Sequence, residues 1–292
     1  MNVRIENAVS PYEEMVAYET LWSKKGVDLK EISSMFENSD LLPSTLYERE
    51  KSRDIFSYQD IEAKVRNHLK SINGFSVSVN GTFQYPKQLR VSAHPIELFY
   101  YKGDIGLLES RMISVVGARN CSERGRINAR RISKALVEHN ITVVSGLAVG
   151  IDTEAMTTAI KEKGRTIGVI GTPVNQCYPK ENCDLQYEVA KNHLLISHVP
   201  FYRYSIEPFQ FKRRYFPQRN VIMATLSEGT VIIEASDTSG SLTQAKACIE
   251  QGKKLYILNS CLQNKEITWP QKFLEKGAIL IENITDFIND IG

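Results

Sequence analysis

Residues 112–120 read MISVVGARN, and residues 141–152 read ITVVSGLAVGID. Each stretch is a short apolar run that ends in a loop containing glycine. Between them, Arg126–His139 places Ala129 and Ile132 on one face of a helix. Short apolar strands that alternate with amphipathic helices are typical of a parallel sheet covered by helices on both faces. These residues predict an α/β domain with a Rossmann-like, mostly parallel sheet.

The same alternation continues along the rest of the chain. Asp152 is predicted to cap a helix that runs to Lys163, and further helices are predicted to start near Ser241 and after Pro270. The predicted strands are Ile113–Val116, Ile141–Val144, Thr166–Ile170, Leu194–Ile196, Thr230–Ile233, Lys254–Leu258 and Ala278–Ile281.

The N-terminal part of the chain has a helical pattern instead. Ser10 and Asp28 each precede a predicted helix, and residues 38–58 and Gln59–Ser71 are predicted to be helical as well. Phe75–Val79 alternates with a period of two residues, which predicts a strand. The predicted domains are a helical N-terminal domain at 1–74, a lead-in extension at 75–111 and the Rossmann-like domain at 112–292.

Composition argues against several classes of protein. The 292-residue chain has 36 Lys and Arg against 34 Asp and Glu, so any surface that attracts nucleic acid must be a local one. No apolar run approaches the roughly 18 residues of a membrane span, and Met1–Thr20 lacks the apolar core of a signal peptide. The five cysteines include no CxxC pair, so neither a disulfide framework nor a zinc site is expected. We expect a cytoplasmic protein.

Loops rich in glycine, serine and threonine follow four of the predicted strands, where ligands of doubly wound sheets bind. Bare backbone N–H groups and helix N-termini in such loops suit a phosphate. The alternative is that glycine here only permits tight turns between strands and helices. The predicted phosphate pocket is lined by Gly117, Ser145, Gly146, Gly171, Thr172, Ser239, Gly240 and Ser241.

The loops match none of the common enzyme motifs. GxGxxG and GxxxxGK[ST] are absent, so ordinary dinucleotide and P-loop sites lose support. HExxH and GxSxG are absent as well. No catalytic residue, cofactor or metal is therefore predicted.

The segment Phe201–Arg219 combines five basic residues and one acidic residue with seven aromatic ones. Cations follow the backbone of a single-stranded nucleic acid, while rings stack on its bases for about 1–3 kcal/mol each. The alternative is a long loop whose rings lie in the core or at a dimer interface. A second basic cluster either widens the positive surface or forms a solvated helix face. It comprises Arg124, Arg126, Arg130, Arg131 and Lys134.

Seven short motifs occur in one order along the chain. They are Tyr85-Pro86 with Leu98–Gly103, Val116–Arg119, Ser145–Asp152, Gly171-Thr172, Tyr178-Pro179 with Asn182, Phe216–Asn220, and Glu234-Ala235 before Ser239–Leu242. With these motifs the chain resembles the DprA/Smf (DNA-processing protein A) family over about Phe75–Ile288. The resemblance implies a Rossmann-like domain that binds single-stranded DNA, helps to load RecA recombinase and forms a homodimer.

The resemblance and the basic-aromatic segment together predict the residues that contact nucleic acid. The arginines are expected on phosphates, and Phe216 is expected to stack on a base. The predicted residues are Arg119, Arg213, Arg214, Phe216, Arg219 and Asn220.

The chain departs from the family pattern at positions that bear on function. Val149 and Val221 stand where the family usually has basic residues, and the winged-helix module of many members has no counterpart. Two alternatives therefore stay open: a sensor of a nucleotide-derived ligand in a defence system, and a nucleotide N-glycosidase of the cytokinin-activating LOG type. Gln244 stands where the LOG type has its catalytic Glu, which counts against the enzyme because general acid–base catalysis needs a titratable group.

Overall fold

The computed structural model describes residues 9–37, 41–82, 85–90 and 96–292. In chain order the helices are α1 Pro11–Trp22, α2 Leu29–Phe36, α3 Pro43–Lys51, α4 Ile55–Leu69, α5 Lys87–Arg90, α6 Glu123–Glu138, α7 Ile151–Lys161, α8 Cys183–Asn192, α9 Phe201–Ile206, α10 Phe209–Lys212, α11 Tyr215–Leu226, α12 Ser241–Glu250, α13 Asn259–Leu262, α14 Trp269–Leu274 and α15 Ile284–Ile291. The strands are β1 Ser76–Val79, β2 Leu98–Gly103, β3 Met112–Val116, β4 Thr142–Ser145, β5 Thr166–Ile170, β6 Leu194–Ser197, β7 Gly229–Ile232, β8 Lys254–Leu258 and β9 Ile279–Ile281.

The described residues divide into two compact units. The first consists of the described part of Met1–Tyr100 together with His198–Lys212, and the second consists of Tyr101–Ser197 and Arg213–Gly292. The domains predicted from the sequence are continuous stretches of chain. The first unit, in contrast, also includes a segment from much further along the chain.

The N-terminal helices begin where polar side chains cap them. Ser10 Oγ accepts a hydrogen bond from the amide of Glu13 at 3.4 Å, so α1 starts as predicted. Asp54 caps α4 in the same way, and this helix therefore begins before the predicted Gln59. Helix α3 and the start of α4 confirm most of the helical prediction for residues 38–58. Residues 38–40 of that prediction lie outside the described residues.

Glu19, on α1, is a buried carboxylate that holds the first unit together. It accepts hydrogen bonds from the Tyr100 hydroxyl at 2.6 Å and from the amides of Phe201 and Tyr202 at 2.6 and 3.0 Å. Burial raises the pKa of Glu19 to about 7, and the three donors oppose this rise. Because the two amides are the first of α9, Glu19 ties the His198–Lys212 segment to the N-terminal helices.

Seven strands of the second unit form a sheet in the order β6-β5-β4-β3-β7-β8-β9. Their pairings are all parallel. The chain builds one half of this sheet from β3 outward to β6, and then returns to the other side of β3 to form β7. Ligands of doubly wound sheets bind outside the carboxyl ends of the strands where the order reverses in this way.

The strands nearest this reversal are buried along their whole length. Every residue of β3, β4, β5, β6 and β7 is buried, as expected of strands that helices cover on both faces. All seven predicted strands are present, with bounds that differ by at most one residue at each end. The predicted Rossmann-like α/β fold is confirmed. No helix in the described ranges has the length and apolar character of a membrane span.

Two local expectations are corrected by the structure. The N-cap of α7 is Gly150, whose φ of 87° favours glycine, whereas the predicted cap Asp152 lies in the first turn of the helix. Cys177 and Cys183 form a disulfide although no disulfide framework was expected. Their Cα atoms lie 5.5 Å apart because the chain turns back between β5 and α8, which the spacing of cysteines alone does not show.

We predict that Glu19 makes the stability of the protein depend on pH. Folding raises the pKa of Glu19 from 4.5 to about 7, so the native state binds this proton more tightly than the unfolded state. The stabilisation by Glu19 is then complete below about pH 4.5 and is lost as the pH rises through about 7. Urea unfolding measures this effect. Between about pH 5 and pH 8, the free energy of unfolding of the wild type should fall by on the order of 2 kcal/mol relative to that of Glu19→Gln.

The control for this experiment is Glu48→Gln, because the Glu48 side chain is 68% exposed. It should follow the wild type at every pH. If the Glu19→Gln variant also follows the wild type, the raised pKa is refuted.

Candidate nucleic-acid interface

A cavity of about 700 Å³ lies beyond the carboxyl ends of β3 and β7, where the strand order of the second unit reverses. Its walls come from the loops after these two strands, from the start of α11 and from the first turn of α12. Eight of the residues that the sequence singled out line it. They are Gly117, Arg119, Phe216, Arg219, Asn220, Ser239, Gly240 and Ser241.

The loop after β3 presents an exposed cation at this cavity. A Cβ atom on Gly117 would lie 2.8 Å from the carbonyl oxygen of Glu234, so glycine lets the loops after β3 and β7 approach each other. The amide of Ala118 donates to the same carbonyl at 2.7 Å. Arg119 follows directly, is exposed, and has no ion-pair partner among the residues that the structure describes.

The first turn of α12 contributes Ser241 and Gln244 to the cavity wall. Ser241 Oγ and Gln244 Oε1 are buried and have no hydrogen-bond partner within the described part of the chain. Asn220 Nδ2 donates to the carbonyl of Gly240 at 2.9 Å and so fixes the loop before the helix. A helix N-terminus with unsatisfied polar side chains can bind an anion or another hydrogen-bonding ligand.

Arg219 forms part of the cavity wall. It is 6% exposed, and its Nη1 donates to the carbonyl of Val169 at 2.9 Å. Burial lowers its pKa to about 10, Asp152 opposes this shift and Arg119 adds to it, so the group is still cationic at neutral pH. Burial also raises the pKa of Asp152, whose carboxylate accepts a hydrogen bond from the amide of Gly146 at 3.0 Å.

A smaller cavity of about 30 Å³ shares Arg119, Phe216 and Arg219 with the larger one. Gly146 and Gly171, two residues of the predicted phosphate pocket, line it. A Cβ atom on Gly171 would lie 2.8 Å from Phe216 Cδ1, so the absence of a side chain at this position leaves room for the ring. Val149, which stands where the family usually has a basic residue, lines the same cavity and leaves it less positive.

Four residues of the predicted site line neither cavity. Ser145 is buried and its Oγ donates to the carbonyl of Val115 at 2.7 Å, which joins neighbouring strands. Thr172 is also buried. Arg213 is exposed, and the Arg214 guanidinium lies 5.4 Å from the ring centroid of Tyr215.

The seven rings of the Phe201–Arg219 segment do not form one strip. Phe201 is buried in the first unit, where its ring centroid lies 4.6 Å from that of Tyr100. Tyr215 is fully buried in the second unit. The core interpretation therefore holds for these two rings, whereas Phe216 lines both cavities.

The second basic cluster is largely ion-paired. Arg126 and Arg130 lie 3.1 and 2.9 Å from the carboxylate of Glu154, and Arg130 lies 2.9 Å from Glu123. This favours the solvated-face interpretation for α6. Arg124 of the same cluster lines the larger cavity.

The predicted pocket did not include Gln244, Asp152 or Glu234, yet all three line the larger cavity. Gln244 could have been recognised from its spacing, because it follows Ser241 by three residues and so lies on the same side of a helix. Within the described residues, no group of three or more His, Cys, Asp and Glu side chains could hold a metal ion.

We predict that Gly146→Ala destabilises the protein. A Cβ atom at position 146 would lie 1.5 Å from Arg219 Nη1, and the buried guanidinium cannot move without losing its hydrogen bond to Val169. Urea unfolding should show a loss of about 1–3 kcal/mol.

Gly240→Ala is the matched control for Gly146→Ala. A Cβ atom at position 240 meets nothing within 4 Å, so its effect should stay within about 0.5 kcal/mol. Equal unfolding free energies for the two variants would contradict the close contact between Gly146 and Arg219.

The chain is similar to known proteins of one family. A family model described as DNA recombination-mediator protein A matches residues 77–292. DNA processing protein DprA of Bacillus subtilis is 34% identical over 209 residues, which are 71% of this chain and 68% of that protein. DNA processing protein DprA of Streptococcus pneumoniae is 33% identical over 204 residues, which are 70% of each.

Two solved structures are similar as well. The X-ray structure of DprA from Streptococcus pneumoniae has a TM-score of 0.79 at 27% identity, covering 97% of this chain and 98% of that one. DNA processing protein A from Helicobacter pylori, whose structure is described for its single-stranded DNA binding mode, has a TM-score of 0.63 at 27% identity, covering 74% and 95%. Since the family model takes in the whole strand reversal and both cavities, the chain belongs to the DNA recombination-mediator protein A (DprA/Smf) family.

Proposed function

We propose that this chain is a recombination mediator that binds single-stranded DNA at the crevice beyond β3 and β7. One observation carries the proposal. The larger cavity brings together an exposed cation, Arg119, an accessible ring, Phe216, and the polar first turn of α12. These are the groups that a single strand needs: charge for its phosphates and a surface for its bases.

Each group has a distinct part in the proposed binding. Arg119 is exposed, so it can reach a phosphate without first breaking an ion pair within the described residues. Phe216 is half-buried, so part of the ring is open to a base. Ser241 and Gln244, in the first turn of α12, line the part of the cavity that a nucleotide would enter.

The geometry favours single strands over duplex. A base can stack on Phe216 and turn into the cavity only if it is unpaired, because duplex DNA keeps its bases stacked inside the helix. The Helicobacter pylori relative, whose structure is described for its single-stranded DNA binding mode, supports the same ligand for this chain.

We also propose two protein partners from the family likeness, namely RecA recombinase and a second copy of this chain. Light scattering on the purified protein tests the homodimer. Single-molecule or strand-exchange assays with RecA test the loading of recombinase on a protected strand.

A sensor of a nucleotide-derived ligand is the second candidate function. The cavity volume of about 700 Å³ lies within the range of small-molecule sites, roughly 300–1,000 Å³. Thymidine monophosphate separates the two candidates, because a sensor binds it as tightly as an oligothymidylate, whereas a strand-binding protein gains affinity with strand length. A LOG-type hydrolase finds no support at Gln244, whose buried amide cannot exchange a proton.

We predict that Arg119→Ala weakens binding of a labelled oligothymidylate by about tenfold, because one charge-assisted phosphate contact is lost. The slope of log K against log salt should also fall by about 0.7, the contribution of one phosphate contact on a single strand. Fluorescence anisotropy at several salt concentrations measures both quantities.

Arg131→Ala is the matched control, because Arg131 is an exposed arginine on α6 that lines neither cavity. Its affinity and salt slope should equal those of the wild type. Equal losses in the two variants would show that binding depends on diffuse charge and would contradict the proposed site.

We predict that Phe216→Ala weakens binding about tenfold while leaving the salt slope unchanged, since a ring that stacks on a base contributes no charge. The same anisotropy titration measures this. Tyr187→Ala is the control, because Tyr187 is a 68% exposed aromatic residue on α8 that lines neither cavity. A Phe216→Ala variant with wild-type affinity would exclude the stacking role.

A further inference from the structure

A loop closed by a disulfide carries an exposed ring beside the proposed site. Tyr178 lies between β5 and α8, is 46% exposed, and has its ring centroid 5.5 Å from that of Phe216. Both rings line the smaller cavity together with Arg119. The family match includes Tyr178-Pro179 as a motif, but the predicted site gave this tyrosine no role.

The loop that carries this tyrosine is held on both sides. Asn182 is buried, and its Nδ2 donates to the carbonyl of Leu147 at 2.8 Å. Gln186 Nε2 donates to the carbonyl of Gln176 at 2.8 Å. The Cys177–Cys183 disulfide joins the two ends covalently, so the tyrosine follows directly after a cross-linked residue.

We propose that Tyr178 is a second base-stacking residue of the single-stranded DNA site, and that the Cys177–Cys183 disulfide holds it in position, so that reducing the disulfide weakens DNA binding. The inference rests on the proposed function. It adds a residue and a redox dependence that neither the motifs nor the comparisons assign.

The arrangement of the rings supports this role. A tyrosine that only packs in the core is hidden, as Tyr215 is, whereas almost half of Tyr178 is open to a ligand. Its neighbour Phe216 already faces the larger cavity, so the two rings offer adjoining surfaces to consecutive bases. A cross-linked loop keeps this surface formed before DNA arrives, which lowers the entropy cost of binding.

The redox step is ordinary thiol–disulfide exchange with a dithiol, which supplies two electrons. One thiolate of the dithiol attacks the sulfur of Cys177, the exposed partner, and the S–S bond breaks to release the Cys183 thiolate. The second thiolate of the dithiol then displaces the Cys177 sulfur and closes a cyclic disulfide. The two protein thiolates take up the two protons that the dithiol gave up.

The test measures oligothymidylate affinity by anisotropy, with and without dithiothreitol, for the wild type, Tyr178→Ala, and the double variant Cys177→Ser with Cys183→Ser. Tyr178→Ala should bind about tenfold more weakly than the wild type. Dithiothreitol should weaken the wild type about threefold, and should leave Tyr178→Ala and the double variant unchanged, because the loop then has no ring or no disulfide to lose. The Tyr187→Ala control should respond to dithiothreitol as the wild type does.

Alkylation followed by mass spectrometry must show two more reactive thiols after reduction. If the Cys177 and Cys183 thiols are already free before dithiothreitol is added, the proposal is overturned. It is also overturned if Tyr178→Ala binds as tightly as the wild type does. If dithiothreitol weakens Tyr178→Ala as much as the wild type, the disulfide acts on stability in general and does not position this ring. A wild type that binds no single strand at any salt concentration refutes the proposed function itself, and circular dichroism of each variant separates these outcomes from misfolding.

Discussion

The position of β3 between β4 and β7 is the constraint on which the site depends. The chain leaves β3 toward one edge of the sheet and returns to its other side, so the loops after β3 and β7 end beside each other. Their closeness is visible at Gly117, where any side chain would collide with the carbonyl of Glu234. The crevice is therefore a consequence of strand order, and the cation and ring are residues that this crevice exposes.

Two arginines at the crevice differ in burial, and so in the roles that the proposed function gives them. Arg219 is buried, and a buried cation is tolerated only when it has hydrogen bonds and an opposite charge nearby. Val169 supplies the hydrogen bond and Asp152 supplies the charge. Arg119 is exposed, and the proposed function assigns it to a phosphate of the strand. In the proposed site, a fixed positive wall behind an exposed arginine would attract phosphate whether or not the strand is bound.

Local sequence patterns predicted the strands of the second unit well, because each strand and the loop after it are formed by neighbouring residues. A short apolar run ended by glycine marks a buried strand and its loop, and all seven strands were located within one residue at each end. The grouping of His198–Lys212 with the N-terminal helices was not predictable in this way. It depends on hydrogen bonds between Glu19 and residues such as Phe201, 182 positions away. The residues next to Glu19 in the sequence do not indicate such a distant partner.

Composition alone does not explain which residues of the basic-aromatic segment line the cavity. The sequence suggested a segment in which rings and cations are interleaved. In the structure Phe216, Arg219 and Asn220 belong to α11, at spacings of three and four residues that place them on one side of a helix. That side faces the larger cavity, while Tyr215 on the same helix is buried. Helical spacing, more than the richness in rings and cations, therefore selects which members of the segment can meet a ligand.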